Sequence, residues 1–398
     1  MLSHSFVANE TGHLDIYSDT FTKVLDVIRK DYDRRNNEGG RQHPWKAMDL
    51  LKEHRFGAIT LPEELGGAEA THVDLFSAAI RLAEADPDVA HIFRAHFMTV
   101  RFLLQDRNPA AYAMLKKVQE GAVIGNAYTE NSKHRAGESQ YDTKLEKENG
   151  HYRLHGEKAF TTGTYYADYT EVTAMLADEP IKVILPVDRE GVTLNDNWDG
   201  FGQKMTGSGT TSFHHVFVSE GEVFSSTDRE EGYAPIPHLY IQGIIAGIMK
   251  RIASDAVELI GKRKRSFFHG NTTNLKQDPQ LQHVIGELSS YAFAAEAMVL
   301  AAARSIDRVP AGISDLGLEH QAALDGSKVK VAIEELAFQA ATKLFDVGGA
   351  SATKQSANLD RHWRNIRTLA SHNPTPYKAR VIGNYDLNGE LLPANAYF

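Results

Sequence analysis

Between residues 123 and 224 the periodicity of the chain changes, and any fold must accommodate that change. The segments "HYRLHGEKAFTTG", "YTEVTAMLA", "IKVILPV" and "TSFHHVFVS" are short, rich in β-branched and aromatic residues, and parted by Gly, Asp and Asn. That is the pattern of strands and turns. On the N-terminal side, Ile16, Phe21, Val24, Leu25, Ile28 and Tyr32 recur at helical spacing, and Asp86-Pro87 interrupts a further helical stretch. On the C-terminal side, Leu281, Val284, Leu288, Tyr291, Ala295, Met298 and Ala302 form one stripe. Val329, Ile333, Leu336, Ala340 and Leu344 form another, stopped by Gly348-Gly349. The alanines in these stripes suit close helix packing in a bundle. The expectation is an α+β, mostly helical chain with an N-terminal helical domain (1–122), a middle β domain (123–224) and a C-terminal helical bundle (225–398). Strict alternation in the last strand would put His214 and His215 on opposite faces.

The 398 residues carry a net charge of −9, which argues against nucleic acid or an anionic membrane surface as a partner. Lys262-Arg263-Lys264-Arg265 is one short basic block in an acidic chain. There is no cysteine, so disulfides, thiolate catalysis, iron–sulfur clusters and cysteine-bound zinc are excluded. No secretory pattern opens the chain and no apolar run reaches about 18 residues, so a soluble cytoplasmic protein is expected. Among the 18 histidines, His91 and His96 are five apart and no HExxH occurs, so no metal site is expected. "GFGQKMTGSGTT" is glycine-rich, but a strand pattern follows it rather than a helix, which does not fit a dinucleotide loop. Nor does "GSGTTS" make a nucleophile elbow.

What remains is a set of polar segments in a fixed order: "GNAYTENS", "HGEKAFTTG", "FGQKMTGSGTTSF", "FDVGGASAT" and "RHWRNIRTLASHNP". On these segments the chain resembles the acyl-CoA dehydrogenase superfamily over nearly its whole length. The details resemble its flavin-dependent monooxygenase branch, typified by dibenzothiophene monooxygenase. The resemblance implies N-terminal helices, a β-barrel-like middle domain and a four-helix C-terminal bundle, usually in a homotetramer. It implies a two-component monooxygenase. Reduced FMN (FAD being the alternative flavin) would come from a separate NAD(P)H-dependent flavin reductase and react with O2. The resulting C4a-hydroperoxyflavin would oxygenate a small apolar substrate, such as an organosulfur compound. The alternative within the superfamily is an FAD-dependent acyl-CoA dehydrogenase. That chemistry uses a glutamate near a position where this chain has Ser371-His372-Asn373.

By the same resemblance, His372, Asn126, Thr162 and His96 are the candidate catalytic residues, with His91 competing for the place of His96. An imidazole can donate a hydrogen bond or a proton near neutral pH, and Asn126 and Thr162 offer further donors without charge. Tyr128, Thr129, Phe160, Thr161, Trp198 and Ser208 match flavin-bordering segments. Arg265 matches a phosphate ligand, which suits its planar fork of donors. Gly348 and Gly349 would let backbone approach the cofactor, across a subunit boundary in the tetramer. In "DRHWRNIRTLASHNPTP", Arg361, Arg364 and Arg367 share a helix face and are expected to pair with other helices or subunits. Pro374 should end the helix and leave His372 at its last turn.

Overall fold

The computed structural model describes residues 14–38, 40–106, 108–134, 138–225, 235–263, 266, 268, 270, 272–309 and 315–393. The first unit comprises α1 (Asp19–Glu38), α2 (Trp45–Glu53), α3 (His72–Ala85), α4 (Pro87–Asp106) and α5 (Pro109–Gln119). Ile16, Phe21, Val24, Leu25, Ile28 and Tyr32 are all buried, as their spacing requires. The break at Asp86-Pro87 is a built corner. Asp86 Oδ1 accepts from the backbone N–H groups of Asp88 and Val89 at 3.0 and 3.1 Å, satisfying the first turn of α4. Arg35 of α1 bonds both Asp86 and Asp31, so the cap is itself held by a cation.

The strands follow: β1 (Ile124–Ala127), β2 (Lys144–Glu148), β3 (His151–Lys158), β4 (Tyr169–Leu176), β5 (Glu179–Pro186), β6 (Val192–Asn195), β7 (Thr210–Val218) and β8 (Val223–Ser225). They form one sheet in the order β6-β7-β3-β2-β4-β5-β8, with β1 pairing in parallel to β4. Every residue of β1 is buried. Gly125 is required there, since a Cβ would sit 2.4 Å from Thr164 Cα.

Strict alternation fails in β7. Phe213, Val216 and Val218 are buried, whereas His214, His215 and Phe217 are exposed. A register shift opposite Leu154–Gly156 of β3 and a left-handed His215 (φ 53°) mark a β-bulge. The extra residue lets apolar side chains three positions apart both reach the core. The two histidines therefore share the solvent side, contrary to the sequence expectation.

The C-terminal helices are α6 (Ile236–Lys262), α7 (Pro279–Asp307), α8 (Leu316–Gly348), α9 (Arg361–Ala370) and α10 (Thr375–Asn388). By length and composition α7 could span a membrane, but it packs against α3, α6 and α8 as a bundle helix. One core runs continuously from α1–α4 into α6–α9, and a second fills the sheet. The helical units are thus one packed body around β1 and α4, and Asn126, Thr162 and His372 are among the candidate residues linked across that junction.

Candidate active site

The site is built from three places that the fold brings together: the end of β1, the loops at the mouth of the sheet, and the α9–α10 corner. Asn126 on β1 is buried, and its carbonyl accepts from Thr164 Oγ1 at 2.9 Å. Its side-chain Oδ1 has no partner, which is costly for a buried acceptor unless a ligand supplies one.

After β3 the chain turns through Phe160, a half-exposed residue in the left-handed region (φ 55°). Bonds on either side hold this strained residue: Ala159 N–H to Thr129 O at 2.8 Å, and Thr161 N–H to Gly209 O at 3.1 Å. The Phe160 ring lies edge-on to Trp198 with centroids 6.0 Å apart. The Trp198 indole N–H donates to Gly202 O at 3.1 Å. Thr161 is buried and spends its hydroxyl on Gly209 O and Thr211, so it anchors the loop to β7. Thr129 is exposed and contributes its carbonyl to Ala159.

Thr162 opens a chain of hydroxyls. Its Oγ1 is 2.7 Å from Ser208 Oγ, which is 2.7 Å from Thr206 Oγ1, which donates to Gln203 O at 2.9 Å. Because the carbonyl can only accept, each hydroxyl proton points inward along the chain. Thr162 is thereby left with lone pairs to offer, an acceptor rather than the expected donor.

Gln203 carries the wall onward to the helices. Its Oε1 bonds His91 Nδ1 at 3.0 Å, and its backbone N–H donates to Asn365 Oδ1 of α9 at 2.8 Å. Its Nε2 is buried without a partner, the second such atom at the site. Burial, reinforced by the Arg94 charge, pushes His91 down to about 3, so it is neutral. With Nδ1–H turned to Gln203, its Nε2 is an acceptor.

His372 lies at the α9–α10 corner, where its N–H still reaches Leu369 O at 3.2 Å. Its Nε2 accepts from Arg94 Nη1 at 3.1 Å, and its ring meets His238 edge-on at 5.8 Å. Burial within the surrounding protein, then the positive charge of Arg94 and the neighbouring histidines, hold it well below the ordinary histidine range. Yet as a residue His372 is exposed to solvent. His372 is therefore a neutral imidazole with Nδ1–H as its free donor, not the imidazolium that its ordinary pKa would have allowed.

The corner is clamped from α8. Buried Lys330 donates to Ala370 O at 3.2 Å, placing a cation at the C-terminus of α9, and Glu334 receives Lys330 and Thr375. Arg94, His238, Gln203, Lys330 and Glu334 were not singled out from sequence. The available signal was that His91 and Arg94, three apart, share a face of α4.

His96 does not belong to this group. Its Nε2–H donates to Gly57 O at 2.9 Å and its Nδ1 accepts from Ile124 N–H at 3.1 Å. Burial lowers its pKa to about 4, and both nitrogens are spent tying α4 to the loop before it and to β1. Of the two histidines weighed, it is His91 that joins His372.

A buried ion pair joins the other two motifs. Lys158 Nζ bonds Glu130 Oε1 at 2.5 Å, Thr173 Oγ1 at 3.1 Å and Tyr128 O at 3.2 Å, so "AYTENS" and "KAFTTG" are locked together beneath the site. Burial lowers Lys158 to about 8, against the pull of Glu130, and it remains charged at neutral pH.

Gly348 ends α8 and Gly349 takes a positive φ (59°). Within the single chain they adjoin Ala352 and Arg263, not the residues above. Arg263 donates to Val347 O at 3.0 Å, and Arg265 lies outside the described residues. Of the three arginines on α9, Arg361 reaches Asp255 of α6, Arg364 reaches Phe201 O at 3.1 Å, and Arg367 turns back to Ser371. A cavity of about 490 Å³ lies on the far face of α9, between Phe201, Phe345 and Trp363, and shares none of the site's polar groups.

The chain belongs to the acyl-CoA dehydrogenase superfamily. Residues 18–107 match the acyl-CoA dehydrogenase N-terminal domain and residues 239–376 the C-terminal domain. It is similar to the dibenzothiophene monooxygenase of Mycolicibacterium goodii, 28% identical over 353 residues that cover 83% of this chain and 84% of the relative. It is 26% identical to the "Probable FMNH2-dependent monooxygenase SfnC" of Pseudomonas putida, over 92% of each chain. The crystal structure of FMN-bound TdsC from Paenibacillus sp. A11-2 has the same fold, with a TM-score of 0.87 at 24% identity, covering 96% of this chain and 99% of that one.

Proposed function

We propose that the chain is the oxygenase of a two-component system. It would take reduced FMN from a separate NAD(P)H-dependent flavin reductase and use O2 to oxygenate a small apolar substrate, with organosulfur compounds as the first class to test. Two of the relatives support this reading by their names, a dibenzothiophene monooxygenase and a probable FMNH2-dependent monooxygenase. The observation that carries it is the α9–α10 corner. It presents a neutral His372, one nitrogen held by the Arg94 guanidinium, beside the uncharged hydrogen-bonding groups of His91 and Gln203. Glu334, the carboxylate that holds this corner, is committed to Lys330 and Thr375, so it does not serve as the base that acyl-CoA dehydrogenation requires.

The residues fit a flavin. Asn126 Oδ1 and Gln203 Nε2 are buried and unpartnered, an acceptor and a donor awaiting a heterocycle with both kinds of edge. Phe160, Trp198, Ser208 and Tyr128 would border the ring. Arg265 would hold the phosphate, and Gly348 and Gly349 would let backbone approach the cofactor across a subunit boundary of a homotetramer. When bound, reduced FMN supplies the two electrons that activate dioxygen. The chain's part is to hold His372 Nδ1–H as a donor toward the oxygen atoms, with its other nitrogen fixed by Arg94. Thr162 and His91 Nε2 accept. A soluble, cytoplasmic enzyme divided at about 122 and 224 completes the reading.

The test supplies FMN reduced by a generic reductase, a panel of organosulfur compounds and air, and measures product against hydrogen peroxide. His372→Ala should keep FMN binding and divert oxygen to hydrogen peroxide. Unchanged coupling in that variant removes His372 from the chemistry. Bleaching of bound FAD by an acyl-CoA would favour the dehydrogenase.

A further inference from the structure

The bulge in β7 does more than restore the apolar phase of the strand. It brings His215 beside His155 of β3 on the solvent face of the sheet, with ring centroids 5.3 Å apart. Glu148 of β2 reaches across to the same point, its Oε2 3.0 Å from His215 Nε2. One ligand atom from each of Glu148, His155 and His215 lies within 4.8 Å of the other two. We propose that these three residues form a binding site for one divalent transition-metal ion of the zinc type, clipping β2, β3 and β7 together.

Two imidazoles and one carboxylate suit borderline ions such as Zn2+, Co2+ or Ni2+, whereas Mg2+ and Ca2+ prefer all-oxygen shells. Ligand atoms around tetrahedral zinc are about 3.4 Å apart, given zinc–ligand bonds of about 2.0–2.1 Å. The present spacing closes to that by side-chain rotation, which is inexpensive for partly exposed residues. The backbone contact to the His155 ring, His215 N–H to Nδ1 at 3.4 Å, is long enough to yield to a metal bond. His215 also keeps a left-handed backbone that non-glycine residues adopt only at a cost, and such strain gathers at binding sites. The opposing group is Arg153, whose Nε is 4.0 Å from Glu148 Oε2 and whose positive charge competes with the ion. Water would fill the remaining coordination positions, since the face is open. None of the three ligands belongs to the Asn126–His372 wall, so the inference does not rest on the flavin reading.

The experiment titrates Zn2+ into the chelator-treated full chain against a chromogenic zinc indicator, and repeats it with Co2+ for its ligand-field absorption. Wild type should take one equivalent. His155→Ala and His215→Ala should each weaken uptake by about 10-fold or more, the size of effect known even for outer-shell partners. Glu148→Gln should weaken it less, and His214→Ala, the neighbouring exposed histidine, not at all. Zinc should raise the melting temperature of wild type but not of His155→Ala. Melting without zinc checks that each variant is folded, as expected for changes on the solvent face. No uptake by wild type, uptake unmoved by the three ligand substitutions, or equal loss in His214→Ala would each overturn the proposal.

Discussion

Replacing His96 by alanine separates a structural histidine from a catalytic one. The ring is fully buried and bonded at both nitrogens, to Gly57 O at 2.9 Å and from Ile124 N–H at 3.1 Å. Removing it orphans two buried backbone groups at about 1–3 kcal/mol each and opens a cavity beside Phe93 and Phe97, so the expected loss is about 3–6 kcal/mol at pH 7.5. The pH dependence adds a second signature. The folded pKa is about 4 against the ordinary 6.5, so between those values the unfolded chain binds a proton that the folded chain refuses. The stability that neutral His96 provides is full above pH 6.5 and is lost as pH falls toward 4. At pH 5.5 the loss is about 1.4 kcal/mol, and His96→Ala does not suffer it. Urea unfolding of both proteins at pH 7.5 and 5.5 should show the gap between them shrink by that amount. A variant as stable as wild type but uncoupled in oxygen use would refute the structural assignment and return His96 to the active site.

Three further outcomes follow from the same geometry. Lys158→Met strands the Glu130 carboxylate beneath the site and should cost about 3–5 kcal/mol by denaturant unfolding, with Lys158→Met/Glu130→Gln recovering much of it; a single variant within 1 kcal/mol of wild type contradicts this. Asn126→Leu removes the unpartnered acceptor, so it should leave stability intact or raise it while weakening binding of FMN by equilibrium dialysis; unchanged binding removes Asn126 from the flavin site. Phe160→Ala should weaken FMN binding by about 10-fold, near the upper value of one aromatic contact, and tight binding in that variant would place the flavin elsewhere.

The α–β–α order was legible in the sequence because it rests on periodicity, which residue types alone record, whereas the polar segments stood out only through their resemblance to a family. The corner at Pro374 was legible for a similar reason, since proline forbids the helix to continue. The face of a helix was harder to read. His91 and His96 are both polar residues in an apolar stretch, and only the packing of β1 and the loop at Gly57 against α4 shows which ring is spent on backbone. Strict alternation through His214-His215 hides the bulge, although Phe213 and Val216, three apart and both apolar, carry the signal for it. Gln203 sits in a loop at φ 50°, where no periodicity speaks, so its bridge to His91 became visible only in three dimensions.

The activity we propose for this chain is transfer of an oxygen atom from dioxygen using reduced FMN. Turnover under oxygen-18-labelled dioxygen, with reduced FMN supplied by a generic reductase, tests it most directly by mass spectrometry of an organosulfur panel. The expected result is one labelled oxygen atom per product molecule in wild type, and loss of labelled product with release of hydrogen peroxide in His372→Ala. Unlabelled substrate throughout, together with bleaching of bound FAD by an acyl-CoA, would contradict it.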